Sequence, residues 1–396
     1  MHTKEFSLGI VTAPGITTTL SEKFKDNLKG ILDEGFTKDT IWSIKVVVDH
    51  ITGAAENADR IMNQAIKIRE HHDWDYVISL TDLPLFYQKS VVLADINRQQ
   101  CAAQVSLPAF GSFPTANKVK KTLVHITKEL YFNQNTMENM ELIQHGIGIK
   151  NKDTKENSFQ LIKKAFKFNT IERRELDEDE NFSVRFLVHP KWSGKFKVLA
   201  GMTAANSPWS IMPSFKRVIG LAFATGCYML IFNTLWQLSG LYGLPRFITL
   251  MITAMTAMVT WIIFVHSLWE KKQNYKSQKL RFMYNLTTIM TLTISVLLFY
   301  ISMFLLFSIA VIIFVPADIF NDVLEDDVTF LDYVKLAWLV TSAATVAGAI
   351  GAGLENEESV KQVTYGYRQY VRSKEIERLE EEQEKEEQGK TRNKTK

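Results

Sequence analysis

Cysteine is nearly absent: the 396 residues include two, Cys101 and Cys227. One lies in a polar half of the chain and the other inside an apolar run, so neither a disulfide framework nor a cysteine zinc cage can be built from them. The opening MHTKEFSLGIVTAPG lacks the charged, apolar and small-residue succession of a secretory signal, so the first half is expected to stay in the cytoplasm. A dominant charge is lacking too. With 46 Lys and Arg against 43 Asp and Glu, the net charge is +3, and no clustered basic face marks a nucleic-acid partner. Neither GxxxxGKS, GxxxxGKT nor GxGxxG occurs, which removes the two commonest glycine fingerprints for nucleotides.

Long apolar runs are present. A mean hydropathy near zero averages a polar first half over a second half that holds four such runs, 218–238, 244–268, 286–315 and 336–354. Each has about the 20 residues that a helix needs to cross a bilayer core. None contains Asp, Glu or Lys, and the only Arg is Arg246 at an edge. Lys195, Lys197, Lys216 and Arg217 precede the first run, and Lys271, Lys272, Lys276, Lys279 and Arg281 fill the loop before the third. Asp318, Asp322, Glu325, Asp326, Asp327 and Asp332 follow the third, against Lys335 alone. Cationic loops stay inside, so four helices with both termini cytoplasmic are expected. Thr249, Thr253, Thr256 and Thr260 share one helix face, and Ala343, Ala347 and Gly351, beside Ala344, Gly348 and Ala352, form a small-residue pattern suited to close helix contact. Asn233 and Gln237 are the most polar interior side chains of the runs. A transporter would be expected to carry ionisable groups in their interior, and Asp, Glu and Lys are absent there.

The first half reads as α/β. FSLGIVTAPG, IWSIKVVVDH and DWDYVISLTDLP are strand-like, and the segments between them are helical in period. That alternation implies parallel strands covered by helices. SVVLADINRQQCAAQVSLPAF reads as a hairpin at a sheet edge, followed by the helix VKKTLVHITKELYF. The rise in charge over 150–180, ending in ERRELDEDE, reads as a solvated linker, NFSVRFLVHP as a further strand, and 192–215 as a juxtamembrane segment. The tail carries Val360, Val363, Tyr367, Val371 and Leu379 at helical spacing before a charged end, so a cytoplasmic helix with an apolar stripe for a partner is expected.

Three places hold candidate chemistry. In PGITTT, Gly15, Thr17 and Thr18 stand where a strand turns into a helix, a position that can hold a phosphate, although Thr and Ser there also serve as caps. Asp82 lies just beyond the third strand, where open α/β sheets place ligand groups; Asp before Leu-Pro also starts turns. His125 and Glu129, four apart in TLVHITKELYF, share a helix face and are the candidate metal pair. His71 and His72 end a helix, where the dipole favours them without a ligand.

The hairpin ending in QVSLPAF and the helix bearing His125 resemble the layout of archaemetzincin-type zinc peptidases, whose helix reads HExxHxxGxxH. That resemblance implies zinc on two histidines with an adjacent glutamate activating water. Here Ile126 stands at the general-base position and Glu129 at the second histidine position. It covers at most the first 135 residues and implies a domain that binds rather than cuts. Three longer blocks, TDLPLFYQKSVVLADINRQQCAAQVSLPAFG, AGMTAANSPWSIMPSFKRVIGLAFATG and GAGLENEESVKQVTYGYRQ, resemble an uncharacterised bacterial membrane-protein family. Members are sometimes labelled 5,10-methylene-tetrahydrofolate dehydrogenase, but the first half of the chain lacks the Tyr-x-x-x-Lys that the label implies, since Tyr87 and Lys89 stand two apart.

The expected architecture is a cytoplasmic α/β domain (1–150) with a mixed sheet, a linker and juxtamembrane segment (151–217), a four-helix transmembrane domain (218–354) and a helical, partly disordered tail (355–396). The expected role is binding or regulation at the bacterial inner membrane. The lipid bilayer, a small-molecule ligand of unnamed class and a second copy of the chain are the expected partners. A membrane-anchored enzyme, metal-dependent or using a nucleotide or folate cofactor, and a transporter component are the competing expectations.

Overall fold

A computed structural model describes residues 4–35, 40–54, 58–88, 90–112, 116–143, 170–176, 181–189, 191–270, 278–353 and, beyond these, 360–361, 364, 367, 370–372 and 374–378. The chain forms two compact units, Met1–Ala205 with Gln369–Lys396, and Asn206–Arg368. Most of the expected linker, Lys271, Lys272 and Lys276, and Val363 and Leu379 of the tail lie outside the described residues.

The first unit is built on strands β1 (Lys4–Thr12), β2 (Thr40–Val48), β3 (Tyr76–Thr81), β4 (Leu85–Tyr87), β5 (Ser90–Asn97), β6 (Ala102–Ser106), β7 (Thr170–Glu175) and β8 (Val184–His189). They form one sheet in the order β2-β1-β3-β6-β5-β8-β7, with β4 paired to β5. β2, β1, β3 and β6 are parallel neighbours, and the β5, β8 and β7 side is antiparallel. The expected parallel core and the β5–β6 hairpin are both present.

The hairpin is not at an edge. β8 and β7 extend the sheet beyond β5, so residues 170–175 of the charged segment form the outermost strand and not a linker. TIERRE is a strand in which charge suits an edge: Ile171 is buried, while Arg174 and Glu172 pair with each other at 3.1 Å on the surface. The α/β domain therefore reaches well past residue 150.

Helices α1 (Ile16–Gly35), α2 (Ile51–Ala54) and α3 (Ala58–His71) connect the parallel strands, and α4 (Ala116–Ile143) and α5 (Lys191–Ala205) follow the hairpin and β8. The chain leaves β1 in one direction to reach β2, then crosses back over β1 to β3. Right-handed crossovers consequently put α1 and α3 on opposite faces of the sheet. Phe6 on β1 meets Trp42 and, from α4, Tyr131, whereas Val11 joins Met62, Ala65 and Trp74 on the other side. Gly9 is required there, since a Cβ would fall inside the Trp74 ring.

The second unit is helical: α6 (Lys216–Met229), α7 (Asn233–Leu241), α8 (Leu244–Val265), α9 (Gln278–Phe314), α10 (Ala317–Leu324) and α11 (Phe330–Ala352). Three of these, α8, α9 and α11, are long and apolar enough to cross a membrane, and the bent pair α6 and α7 would make four if it counts as one span. The run 218–238, expected as one helix, bends by 90° between α6 and α7. The Trp236 indole N–H donates to the Leu230 carbonyl at 3.0 Å, taking the acceptor that helix continuation would use. The small-residue pattern of α11 is spent inside the unit. A Cβ on Gly348 would stand 3.2 Å from both Ala222 and Phe299, and one on Gly351 2.9 Å from Leu221.

Candidate functional site

The order β2-β1-β3 creates a switch point: the chain departs to opposite sides from the carboxyl ends of β1 and β3, and the connections leave a crevice between them. Pro14 closes the turn after β1, Gly53 sits in α2 just beyond β2, and Asp82 follows β3. The Asp49 carboxylate accepts from the Thr52 amide and hydroxyl at 2.7 and 2.9 Å, which fixes the start of α2. The Thr81 hydroxyl donates to the Thr52 carbonyl at 2.6 Å and accepts from the Leu83 amide, tying the β3 turn to α2.

Into this crevice comes Arg372 of the C-terminal segment. One guanidinium nitrogen, Nη1, donates to Asp82 Oδ1 and to the Gly53 carbonyl, both at 2.8 Å; Nη2 donates to Asp82 Oδ2 at 2.9 Å and to the Pro14 carbonyl at 2.7 Å. The two planar groups meet fork to fork, the strongest form of a charge-assisted pair. Arg372 and Asp82 are both buried, at 8% and 1% exposure. Gly53 leaves the room, since a Cβ there would lie 2.6 Å from Arg372 Nη1 and 2.9 Å from Ala13 Cβ. The crevice therefore offers one carboxylate and two carbonyls, acceptors only, and suits a planar cation.

Asp82 is thus a buried partner and not an exposed turn residue. Gly15, Thr17 and Thr18 lie beside the same crevice, but their groups are turned to local work. Gly15 takes φ +111, and the Thr17 and Thr18 hydroxyls both donate to the Ala13 carbonyl, Thr18 at 2.9 Å. Both hydroxyls thus act as donors to the turn before α1.

His125 and Glu129 fall on the inward face of α4, as the four-residue spacing predicts, in a separate place from the crevice. Glu129 Oε1 accepts from Arg98 at 2.7 Å and from Arg173 at 2.8 Å, and Arg173 continues to Glu175 at 2.9 Å. Burial pushes the Glu129 carboxyl up, but Arg173 and Arg98 together outweigh it and bring it down to about 2. Burial lowers His125 to about 4, and its ring meets the edge of Phe186 at 5.6 Å. A zinc site needs about three protein ligands. Among the described residues no group of three or more His, Cys, Asp or Glu is placed to hold a metal ion. One imidazole and one carboxylate already claimed by two arginines do not fit zinc.

No family model, curated protein or solved structure matches this chain.

Two further features stand outside the crevice. Asp95 of β5 and Arg185 of β8 form a buried pair at 2.6 Å, with Gln104 donating to Asp95 at 3.0 Å and Arg185 stacked 4.1 Å over the Tyr87 ring. A groove of about 810 Å³ runs between α8 and α9, lined by Met255, Thr256, Val259, Thr260, Ile263 and Ile289. Two of the threonines that share a helix face therefore line an apolar groove.

Sequence reasoning found Asp82 but not Arg372. The arginine lies in YRQYVRSKEIERLEEEQ, where alternating charges look like a solvated helix. The available signal was positional. Tyr370 and Val371 are exposed while Arg372 and Ile376, four apart, are buried, so the inward face of this segment is marked by an arginine and not by the expected valine.

Proposed function

We propose that this chain is a multi-pass membrane protein whose cytoplasmic α/β domain is a binding and regulatory module, with the switch-point crevice as its binding site. The observation that carries this reading is the seating of Arg372 on Asp82, Pro14 and Gly53, the position where open α/β sheets receive ligands. A side chain held there by four hydrogen bonds, with the Asp82 carboxylate engaged by its guanidinium, supports reading the crevice as a recognition site.

Four crossings, with α6 and α7 sharing the first, and both termini in the cytoplasm follow from the lysine and arginine flanks. The outward faces of α8, α9 and α11 carry Ile252, Phe264, Leu305, Ile309, Ile313 and Ile350, all exposed, which supports lipid as their surroundings. The three sequence blocks that resemble a bacterial membrane-protein family support the inner membrane as the site.

The test is to screen small molecules against the full chain in detergent by thermal shift, with Asp82→Asn alongside, and to analyse each stabilising compound for conversion. Stabilisation lost in Asp82→Asn, with the compound recovered unchanged, supports the binding reading. Conversion that depends on His125 or Glu129 would replace it with an enzyme.

A further inference from the structure

The chemistry of the crevice goes further than its position. Four hydrogen bonds run from Arg372 to acceptors: two carboxylate oxygens of Asp82, the Pro14 carbonyl and the Gly53 carbonyl. They come from three separate connections, after β1, β2 and β3: Asp82 receives one parallel N–H pair, one from each terminal nitrogen, and the Gly53 and Pro14 carbonyls each receive a further N–H from one of these nitrogens. An ammonium group has tetrahedral donors and cannot meet a carboxylate edge-on in this way. Gly53 deepens the selection, because a side chain there would collide with the guanidinium carbon, whose distance from a built Cβ is 2.9 Å.

The occupant comes from the far end of the chain. Arg372 reaches the crevice on a short stretch of helix, residues 370–372 and 374–378, whose outer face is exposed at Tyr370 and Val371 and whose second buried anchor is Ile376. The acceptors, in contrast, are fixed by bonds within the α/β core: Asp49 to Thr52, Thr81 to Thr52 and to Leu83. A receptor fixed within the α/β core and an occupant supplied from the far end of the same chain are the two parts of a tethered-ligand arrangement.

We propose that the switch-point crevice is a guanidinium-binding site for a small guanidino compound, and that Arg372 is its tethered internal competitor. The proposal rests on the binding reading given above and adds the ligand class and the means of regulation. While Arg372 is seated, a free guanidino compound meets an intramolecular competitor, which raises its apparent Kd. Displacement frees the segment that continues, along the chain, from the last long helix α11.

The experiment uses the full chain in detergent and calorimetric titration with methylguanidinium, with n-butylammonium as the tetrahedral cation of similar size. Arg372→Ala is expected to bind methylguanidinium at least tenfold more tightly than the wild type does, and at least tenfold more tightly than it binds n-butylammonium. Arg372→Ala combined with Asp82→Asn is expected to bind neither. Arg372→Lys is measured in parallel, since it keeps the charge and loses the fork, and is expected to admit methylguanidinium more readily than the wild type.

Failure of a folded Arg372→Ala or Arg372→Lys protein to bind methylguanidinium, or equal binding of the two cations, overturns the proposal. If such a protein is instead stabilised by compounds without a guanidino group, and Asp82→Asn abolishes this, the guanidinium assignment falls and the binding reading stands. If Asp82→Asn changes no response to any compound, both fall. A synthetic peptide of residues 367–378 that binds Arg372→Ala where methylguanidinium does not would assign the crevice to the tail of a second copy, and the small-molecule proposal would be rejected.

Discussion

The Arg372 guanidinium and the Asp82 carboxylate meet side by side, with two N–H groups on two oxygens at 2.8 and 2.9 Å, across 290 residues of sequence. Arg372→Ala leaves the Asp82 carboxylate buried without its partner, at a cost of about 3–5 kcal/mol. Asp82→Ala is expected to cost less, because the tail can withdraw Arg372 into water. The double variant should lose less than the sum of the two, with a coupling of about 1 kcal/mol or more in a denaturation-based double-mutant cycle. Strict additivity would mean that the two groups do not interact in solution.

The cluster on α4 sets a pH dependence. Between 6.5 and about 4 the unfolded imidazole of His125 takes up a proton that the buried one refuses, so stability falls as pH falls through that window. Glu129 is lowered from 4.5 to about 2, so its contribution, present above 4.5, is lost as the pH drops through that range toward 2. Together these amount to a few kcal/mol. Urea unfolding at a series of pH values should show the upper limb flattened in His125→Gln and the lower limb retained. An unchanged upper limb would take His125 out of the account.

The Asp95–Arg185 pair separates buried from exposed electrostatics within one domain. Asp95→Ala strands an arginine whose side chain is 6% exposed and is expected to cost about 3–5 kcal/mol. Lys29→Ala breaks the Asp33 contact on the surface of α1, where both partners are substantially exposed, and should cost about 0.5 kcal/mol or less. The two variants measured side by side by chemical denaturation decide the point; similar losses would contradict the burial described for β5 and β8.

How much of this was legible in the sequence depended on the range of the contact that mattered. The alternation of apolar strand and amphipathic helix through residue 81 is local, and it correctly gave the parallel core; the hairpin at INRQQ was equally local. β7 was hidden because an edge strand carries charge, and TIERRE reads as solvated when its one buried residue, Ile171, is not yet known to face β8. The break between α6 and α7 carries no Pro or Gly at residues 230–232 and rests on one side-chain bond from Trp236 to Leu230. Asp82 could be singled out because strand ends have positional meaning, but its partner could not, because no periodicity links residue 82 to residue 372. The threonines of PGITTT showed the limit of a motif: Thr17 and Thr18 are donors to Ala13, and nothing in their spacing distinguishes that from a phosphate site.

In the helical unit, Gly226 tests the contact between α6 and α9. A Cβ there would enter the Phe307 ring, so Gly226→Val should destabilise the detergent-solubilised protein by about 1–3 kcal/mol through overpacking. Gly220 has open space around its own Cβ position, and Gly220→Val is the matched control, expected to change the thermal midpoint little. Equal effects would contradict the packing of these helices.

The bent pair gives a topology test. If α6 and α7 together cross the membrane, a cysteine at Leu241 in a protein freed of Cys101 and Cys227 is labelled by an impermeant maleimide from outside the cell. A reporter after Lys396 is then active only in the cytoplasm. Labelling at Leu241 from the inside alone would make the pair a re-entrant segment and leave three crossings.

The measurement that goes most directly to the central claim is amide hydrogen exchange over residues 370–378 in the full chain, wild type against Asp82→Asn. The account predicts slow exchange in the wild type and fast exchange in the variant, with β1, β3 and α4 unchanged. Fast exchange of the segment in the wild type would mean that Arg372 does not hold the crevice, and the binding site proposed here would lose its occupant.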